Sequence, residues 1–149
     1  MNIKFLVTGA TGFIGKRVVS QLLKKNISVI ATDIRVKDEK ESFNNFLDSK
    51  NLNKDNLELD ELNISSKKNI DEIFYNKNIT NIISCGYQMS NMIDDDPVKG
   101  SEINIIGIAN LFEAVIKYNI NRLVFPSSQS VYGNTQNIFG DKPVHENDY

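Results

Sequence analysis

Short apolar runs alternate along this chain with stretches whose apolar residues recur every three or four positions, a pattern that predicts strands and helices in turn. Ile3, Phe5, Leu6 and Val7 read as a first buried strand, and Ile14, Val18 and Leu22 as one face of a helix ending near Lys24-Lys25-Asn26. A second strand follows at 27–32. The charged stretch from Lys37 to Lys54 carries Phe43, Phe46 and Leu47, the spacing of a short amphipathic helix between polar loops. Leu57-Glu58-Leu59, extending toward Leu62, predicts a third strand, after which Ser65 or Ser66 caps a helix with Ile70, Ile73 and Phe74 inward. A fourth strand at 81–86 closes on a small residue, Gly86, where another backbone can pass. After a loop at 87–95, Asp96-Pro97 opens a long helix that reaches about Tyr118. A fifth strand at 122–125 runs into Pro126-Ser127-Ser128, and 133–149 reads as loop from its Asn, Gly, Asp and Pro content.

Strands and helices in this alternation predict an α/β fold with one doubly wound parallel sheet. Right-handed crossovers then bring the strand carboxyl ends, with Gly12, Asp33, Gly86 and Ser128, to one edge, where such sheets bind ligands. The long helix has two apolar stripes: Ile105, Ile108, Ala109, Phe112, Val115 and Ile116 on one side, and Ile103, Gly107, Leu111, Ala114 and Tyr118 on roughly the opposite one. One stripe covers the sheet. The other is expected to meet a second subunit, making a homodimer through the 97–118 helix, with Gly107 and Ala114 permitting close approach.

Composition adds exclusions. The 149 residues are the size of a single domain, spanning 1–149. Seventeen basic and nineteen acidic residues leave a net charge of −2, which forces no basic surface and disfavours nucleic-acid binding. No secretory leader and no apolar run of membrane length stand out, so a cytoplasmic protein without membrane contact is expected. Cys85 and His145, each the single residue of its type, make no metal cluster. Asp94-Asp95-Asp96 is read as a helix cap with favourable charge rather than a metal site.

The chemistry gathers around Thr8-Gly9-Ala10-Thr11-Gly12-Phe13-Ile14-Gly15, placed where the first strand turns into the first helix. Gly9 permits the tight turn, Gly12 lets backbone approach a bound diphosphate, and Gly15 lets helix pack on strand. Free N–H groups at the helix start can then hold phosphate. Asp33 stands 18 residues beyond Gly15 at the end of the second apolar run, where a carboxylate accepts hydrogen bonds from both adenosine ribose hydroxyls and repels a 2′-phosphate. NAD is therefore expected over NADP, with Arg35 read as solvent-facing rather than as a phosphate ligand. Asp60-Glu61 reads equally as a contact to the adenine amino group or as a solvated turn.

Taken in order, these motifs resemble the extended short-chain dehydrogenase/reductase family, which includes nucleotide-sugar epimerases and dehydratases and has a Rossmann-type NAD(P)-binding domain. The likeness rests on the glycine motif, Asp33, Asn104-Ile105-Ile106-Gly107 and Ser127-Ser128-Gln129-Ser130-Val131-Tyr132-Gly133. The resemblance implies that Gly9, Thr11, Gly12, Phe13, Ile14 and Gly15 hold the cofactor diphosphate, with Asp33 and Ile34 at the adenosine ribose. It further implies that Glu61 and Leu62 line the adenine pocket, and that Cys85, Gly86 and Tyr87 pass the nicotinamide ribose, Tyr87 replacing a usually small residue. Asn104 would lie near the cofactor, and Ser128 would be the catalytic hydroxyl on the substrate oxygen.

The family's acid/base pair, Tyr-x-x-x-Lys, does not follow Ser128: Tyr132 has Gln136 four residues on, and Tyr149 is the final residue. The chain is thus expected to be the amino-terminal portion of a larger enzyme, binding cofactor without turnover. A nucleotide sugar is the implied substrate of that enzyme, through transient hydride transfer to NAD. A non-catalytic dinucleotide-binding or redox-sensing module, and a reductase or dehydrogenase acting on another alcohol, are the alternative readings.

Overall fold

The computed structural model describes residues 3–148. Strands β1 (Lys4–Thr8), β2 (Ser28–Asp33), β3 (Leu57–Glu61), β4 (Asn81–Ser84) and β5 (Arg122–Val124) form one sheet in the order β3-β2-β1-β4-β5, and every neighbouring pair is parallel. The chain builds outward from β1 to β3, then returns to the other side of β1 for β4 and β5. That reversal opens a crevice at the carboxyl ends of β1 and β4.

The interleaved helices are α1 (Gly15–Lys24), α2 (Val36–Asp48), α3 (Lys67–Lys77), α4 (Ser90–Asp95), α5 (Pro97–Ser101), α6 (Ile108–Lys117) and α7 (Thr135–Phe139). Alternate side chains along a strand face opposite ways, so the sheet has two cores. Leu6, Ile30 and Ile82 pack with Ile70 and Phe74 of α3 and with Leu111 and Ala114 of α6. Val7, Val29 and Ala31 pack on the other face with Val19 and Leu23 of α1 and with Phe43 and Leu47 of α2. Both layers of a doubly wound fold are present. The caps are also as expected: Ser66 accepts from Asn69 N–H, and Asp96, followed by Pro97, accepts from Lys99 N–H at 3.0 Å.

Several helix details differ from the pattern reading. In α1 the buried face is Val19, Ser20 and Leu23; Val18 and Leu22 flank it, and Ile14 is exposed. The 97–118 helix is three pieces, α5, a π-helical stretch at Glu102–Gly107 and α6. Its inward side holds Gly107, Ile108, Leu111 and Ala114, with Val115 and Tyr118 packed at the edge. Ile108 and Val115 lie within about 60° of Leu111 at 100° per residue, so they belong to the sheet-facing side and not to the opposite stripe. Ile105, Phe112 and Ile116 remain exposed, Ile116 at 84%. A Cβ on Gly107 would stand 2.6 Å from Ile64 Cγ1, so its close approach is to the loop after β3, within the chain. Two short helices, α4 and α7, occupy segments expected to be loop.

Candidate functional site

The sheet edge is prepared before the glycine turn begins. Thr32, Thr8 and Ser84 stand in register across β2, β1 and β4, and all three are buried. Thr8 Oγ1 donates to Ser84 Oγ at 3.3 Å and accepts from Gly86 N–H, while Thr32 Oγ1 donates to the Val7 carbonyl. These bonds satisfy the polar groups that the strand ends would otherwise leave buried.

Immediately above, Gly9 has φ +62°, and a Cβ there would stand 2.6 Å from the carbonyl carbon of Cys85 and the Cα of Gly86. No other residue combines that backbone with that proximity. Gly15 is more confined: its Cβ would lie 2.1 Å from the Gly9 carbonyl oxygen. The start of α1 therefore rests on the turn, and Ala10 N–H ties the turn to β2 through the Thr32 carbonyl at 2.9 Å. No side chain caps α1. Among the described residues the N–H groups of Phe13, Ile14 and Gly15, at and just before its start, make no hydrogen bond and are left to a ligand or to water.

Asp33, only 9% exposed, closes β2. Its Oδ2 accepts from Thr11 Oγ1 at 2.7 Å and from Thr11 N–H at 3.4 Å, and its Oδ1 accepts from Arg35 N–H at 3.0 Å. Three donors fix the carboxylate's direction, and each oxygen keeps capacity for a further bond.

Gly9, Gly12, Asp33 and Ile34 form one side of a cavity of about 340 Å³, and Leu62, Cys85, Gly86 and Tyr87 are also in its wall. Eight of the expected cofactor residues are thus brought together. Thr11 stands behind them on Asp33, and Gly15 beneath the turn. Phe13 and Ile14 are exposed beside it rather than in the cavity wall. Asn104 is held away from the cavity as a brace: its Nδ2 donates to the Gln88 carbonyl at 2.9 Å and its Oδ1 accepts from Gln88 N–H at 2.8 Å.

Two expected residues lie elsewhere. Glu61 is paired with Lys37 Nζ at 2.6 Å, and Asp60 faces Lys77 at 3.6 Å. Ser128 lies beyond β5, where its hydroxyl accepts from Ser130 N–H at 3.1 Å at the start of a 3₁₀ turn, Gln129–Tyr132. Tyr149 lies outside the described residues.

The pattern reading missed part of the wall. Asn63, Ile64, Gln88, Lys99 and Ile103 line the cavity, and so does Arg35, whose Nη1 lies 3.9 Å from Glu39 Oε1. Asn110 was missed as well. Buried in α6, it donates to the carbonyls of Ile64 at 3.0 Å and Ser65 at 3.1 Å and so pins the wall after β3. One polar residue beside an apolar stripe was its only signal.

A dinucleotide fits these residues on three observations: the glycine floor, the uncapped helix start, and an orphaned acceptor, Gln88 Oε1, buried without a partner among the described residues. Burial pushes the Cys85 thiol above its ordinary pKa. A neutral sulfur at the wall leaves the phosphates no added negative charge to oppose.

Comparison with known proteins agrees. A model of the NAD dependent epimerase/dehydratase family matches residues 5–149. UDP-glucose 4-epimerase from Pisum sativum is 32% identical over 139 residues, which are 91% of this chain and 39% of that protein. A putative UDP-glucose 4-epimerase from Methanocaldococcus jannaschii is 32% identical over 146 residues, covering 95% of this chain and 42% of its own length. The structure of UDP-glucose 4-epimerase from Thermus thermophilus in complex with NAD is similar with a TM-score of 0.69 and 28% identity, covering 85% of this chain and 38% of that one. The chain thus spans about two-fifths of the length of these relatives. With the glycine turn, the aspartate and the sheet order all in place, this chain belongs to the NAD dependent epimerase/dehydratase family.

Proposed function

We propose that this chain supplies the NAD site of an enzyme acting on nucleotide sugars by epimerase or dehydratase chemistry. The observation that carries the proposal is Asp33, held by Thr11 and the Arg35 N–H at the wall of a glycine-floored cavity. Two adenosine ribose hydroxyls can donate to such a carboxylate, whereas a 2′-phosphate meets its charge. Arg35 is the opposing consideration, because its guanidinium is also at the wall; its lean toward Glu39 favours NAD.

When bound, NAD supplies a temporary hydride acceptor. In this reading the α1 start and Gly12 receive the diphosphate, Gly86 and Tyr87 border the nicotinamide end, and Asn104 keeps that border in place through Gln88. Ser128 orients the reacting substrate oxygen. In support, its hydroxyl already accepts from Ser130 N–H, which leaves its own proton to donate. A tyrosine with a lysine four residues on does not occur after Ser128 in these 149 residues, so the chain alone binds cofactor without turnover.

The same reading places the protein in the cytoplasm; among the described residues no helix is long and apolar enough to cross a membrane. It also pairs two copies of the chain through the exposed stripe of Ile105, Phe112 and Ile116.

Calorimetric titration tests the cofactor. The chain binds NAD at least about tenfold more tightly than NADP, and Asp33→Ala removes that preference, while neither protein turns over a nucleotide sugar. Equal affinity for both cofactors in the unmodified chain, or a measurable turnover rate, refutes the corresponding part.

A further inference from the structure

The first turn of α1 is charged the wrong way for a free helix. It carries Lys16 and Arg17 and no acid, although the partial positive charge at a helix N-terminus favours carboxylates and disfavours cations. Among the described residues Arg17 makes no ion pair. Its Nη1 donates to the Phe13 carbonyl at 2.6 Å, and the guanidinium carbon lies 3.7 Å from the Phe13 ring centroid and 5.7 Å from that of Phe46.

The Phe13 carbonyl is available because the backbone bypasses it. Lys16 N–H donates to the Gly12 carbonyl, while the N–H groups of Arg17 and Val18 both donate to that of Ile14. The Phe13 C=O and the Ile14 N–H belong to one planar trans peptide unit and point in opposite directions. Fixing the carbonyl therefore fixes the amide.

We propose that Arg17 is a positioning residue for the diphosphate of the dinucleotide. By gripping the Phe13 carbonyl and ring it aims the Ile14 N–H out of the α1 start, and its charge strengthens the positive field that the phosphates meet. The cation that a free helix disfavours is matched once an anion lies against the same turn. Arg17 acts through the peptide it holds and touches no reacting atom. This inference rests on the dinucleotide reading of the site.

The test titrates the 149-residue chain, Arg17→Met and Arg17→Lys with NAD and, separately, with adenosine, which lacks phosphate. Arg17→Met weakens NAD binding about tenfold, the effect of losing one charge-assisted bond. Arg17→Lys weakens it about threefold, because it keeps the charge but not the planar grip. Adenosine binding is unchanged in all three, and the shift of the Ile14 amide on adding NAD, followed by ¹H–¹⁵N NMR, shrinks in Arg17→Met.

Undiminished NAD binding with a full Ile14 shift in Arg17→Met overturns the inference, as does an equal loss of NAD and adenosine binding. If Arg17→Met does not fold, Arg17→Lys decides: an NAD affinity equal to that of the unmodified chain overturns the inference, and a selective loss supports it. An unmodified chain that does not bind NAD at this turn overturns the dinucleotide reading itself. That outcome is distinct from binding that the substitutions leave intact.

Discussion

Cys85 shows how one residue reports on the whole cleft. It follows β4 with its backbone beside Gly9, it lines the cavity, and burial pushes its thiol up, so little of it is thiolate at neutral pH. Alkylation by iodoacetamide is therefore slower than that of free cysteine, and saturating NAD slows it further; mass spectrometry that finds a rate indifferent to NAD contradicts the placement of the cofactor at this wall. The glycines and Asp33 were legible in the sequence because their constraints are local. A Cβ on Gly15 would strike Gly9 and Ala10 within the same turn, and Gly9 adopts the left-handed φ of +62° there, although the backbone a Cβ on Gly9 would strike, that of Cys85 and Gly86, arrives only with folding. The direction of Glu61 was not legible. It depends on Lys37, 24 residues earlier, which only folding brings to 2.6 Å.

At the scale of elements, length decided what could be read. α2 and α3, at 13 and 11 residues, repeat their apolar positions often enough to show a period: Phe43, Leu47, Ile70, Ile73 and Phe74 are named by the pattern and buried, while Phe46, also named, is only partly buried and Val36, at the start of α2, is buried without being named. α4 and α7, at 6 and 5 residues, are too short to show one. The long helix was legible as a helix with two apolar sides but not in the assignment of its flanks, since Ile108 and Val115, grouped by the pattern with the opposite stripe, pack with the sheet-facing side. Its two sides answer differently to substitution. Leu111→Ala empties a fully buried position between α6 and the sheet and lowers unfolding free energy by about 2–5 kcal/mol in urea denaturation. Ile116→Lys, on the exposed side, changes stability by less than about 0.5 kcal/mol. In sedimentation it shifts the chain from dimer to monomer. If both proteins sediment as monomers at the same high concentration, the exposed stripe is not the self-association face.

For the whole molecule, topology does what no single motif can. The order β3-β2-β1-β4-β5 puts the glycine turn, Asp33 and Gly86 on the carboxyl side of three adjacent strands, β2, β1 and β4, although Thr8 and the Gly86 it bonds are 78 residues apart in sequence. Ser128, after the edge strand β5, is held apart from that cavity by the same order. The chain that shows this arrangement matches about two-fifths of its relatives' length, and residues from β1, β2 and the segments after β2, β3 and β4 line its cavity together. The most direct measurement is a crystal structure of the 149-residue chain grown with NAD. The diphosphate is expected against the α1 start at Gly12, with the adenosine ribose hydroxyls on Asp33. A dinucleotide bound elsewhere, or a glycine turn closed over Gly86 with no nucleotide beside it at saturating NAD, contradicts the assignment of the site.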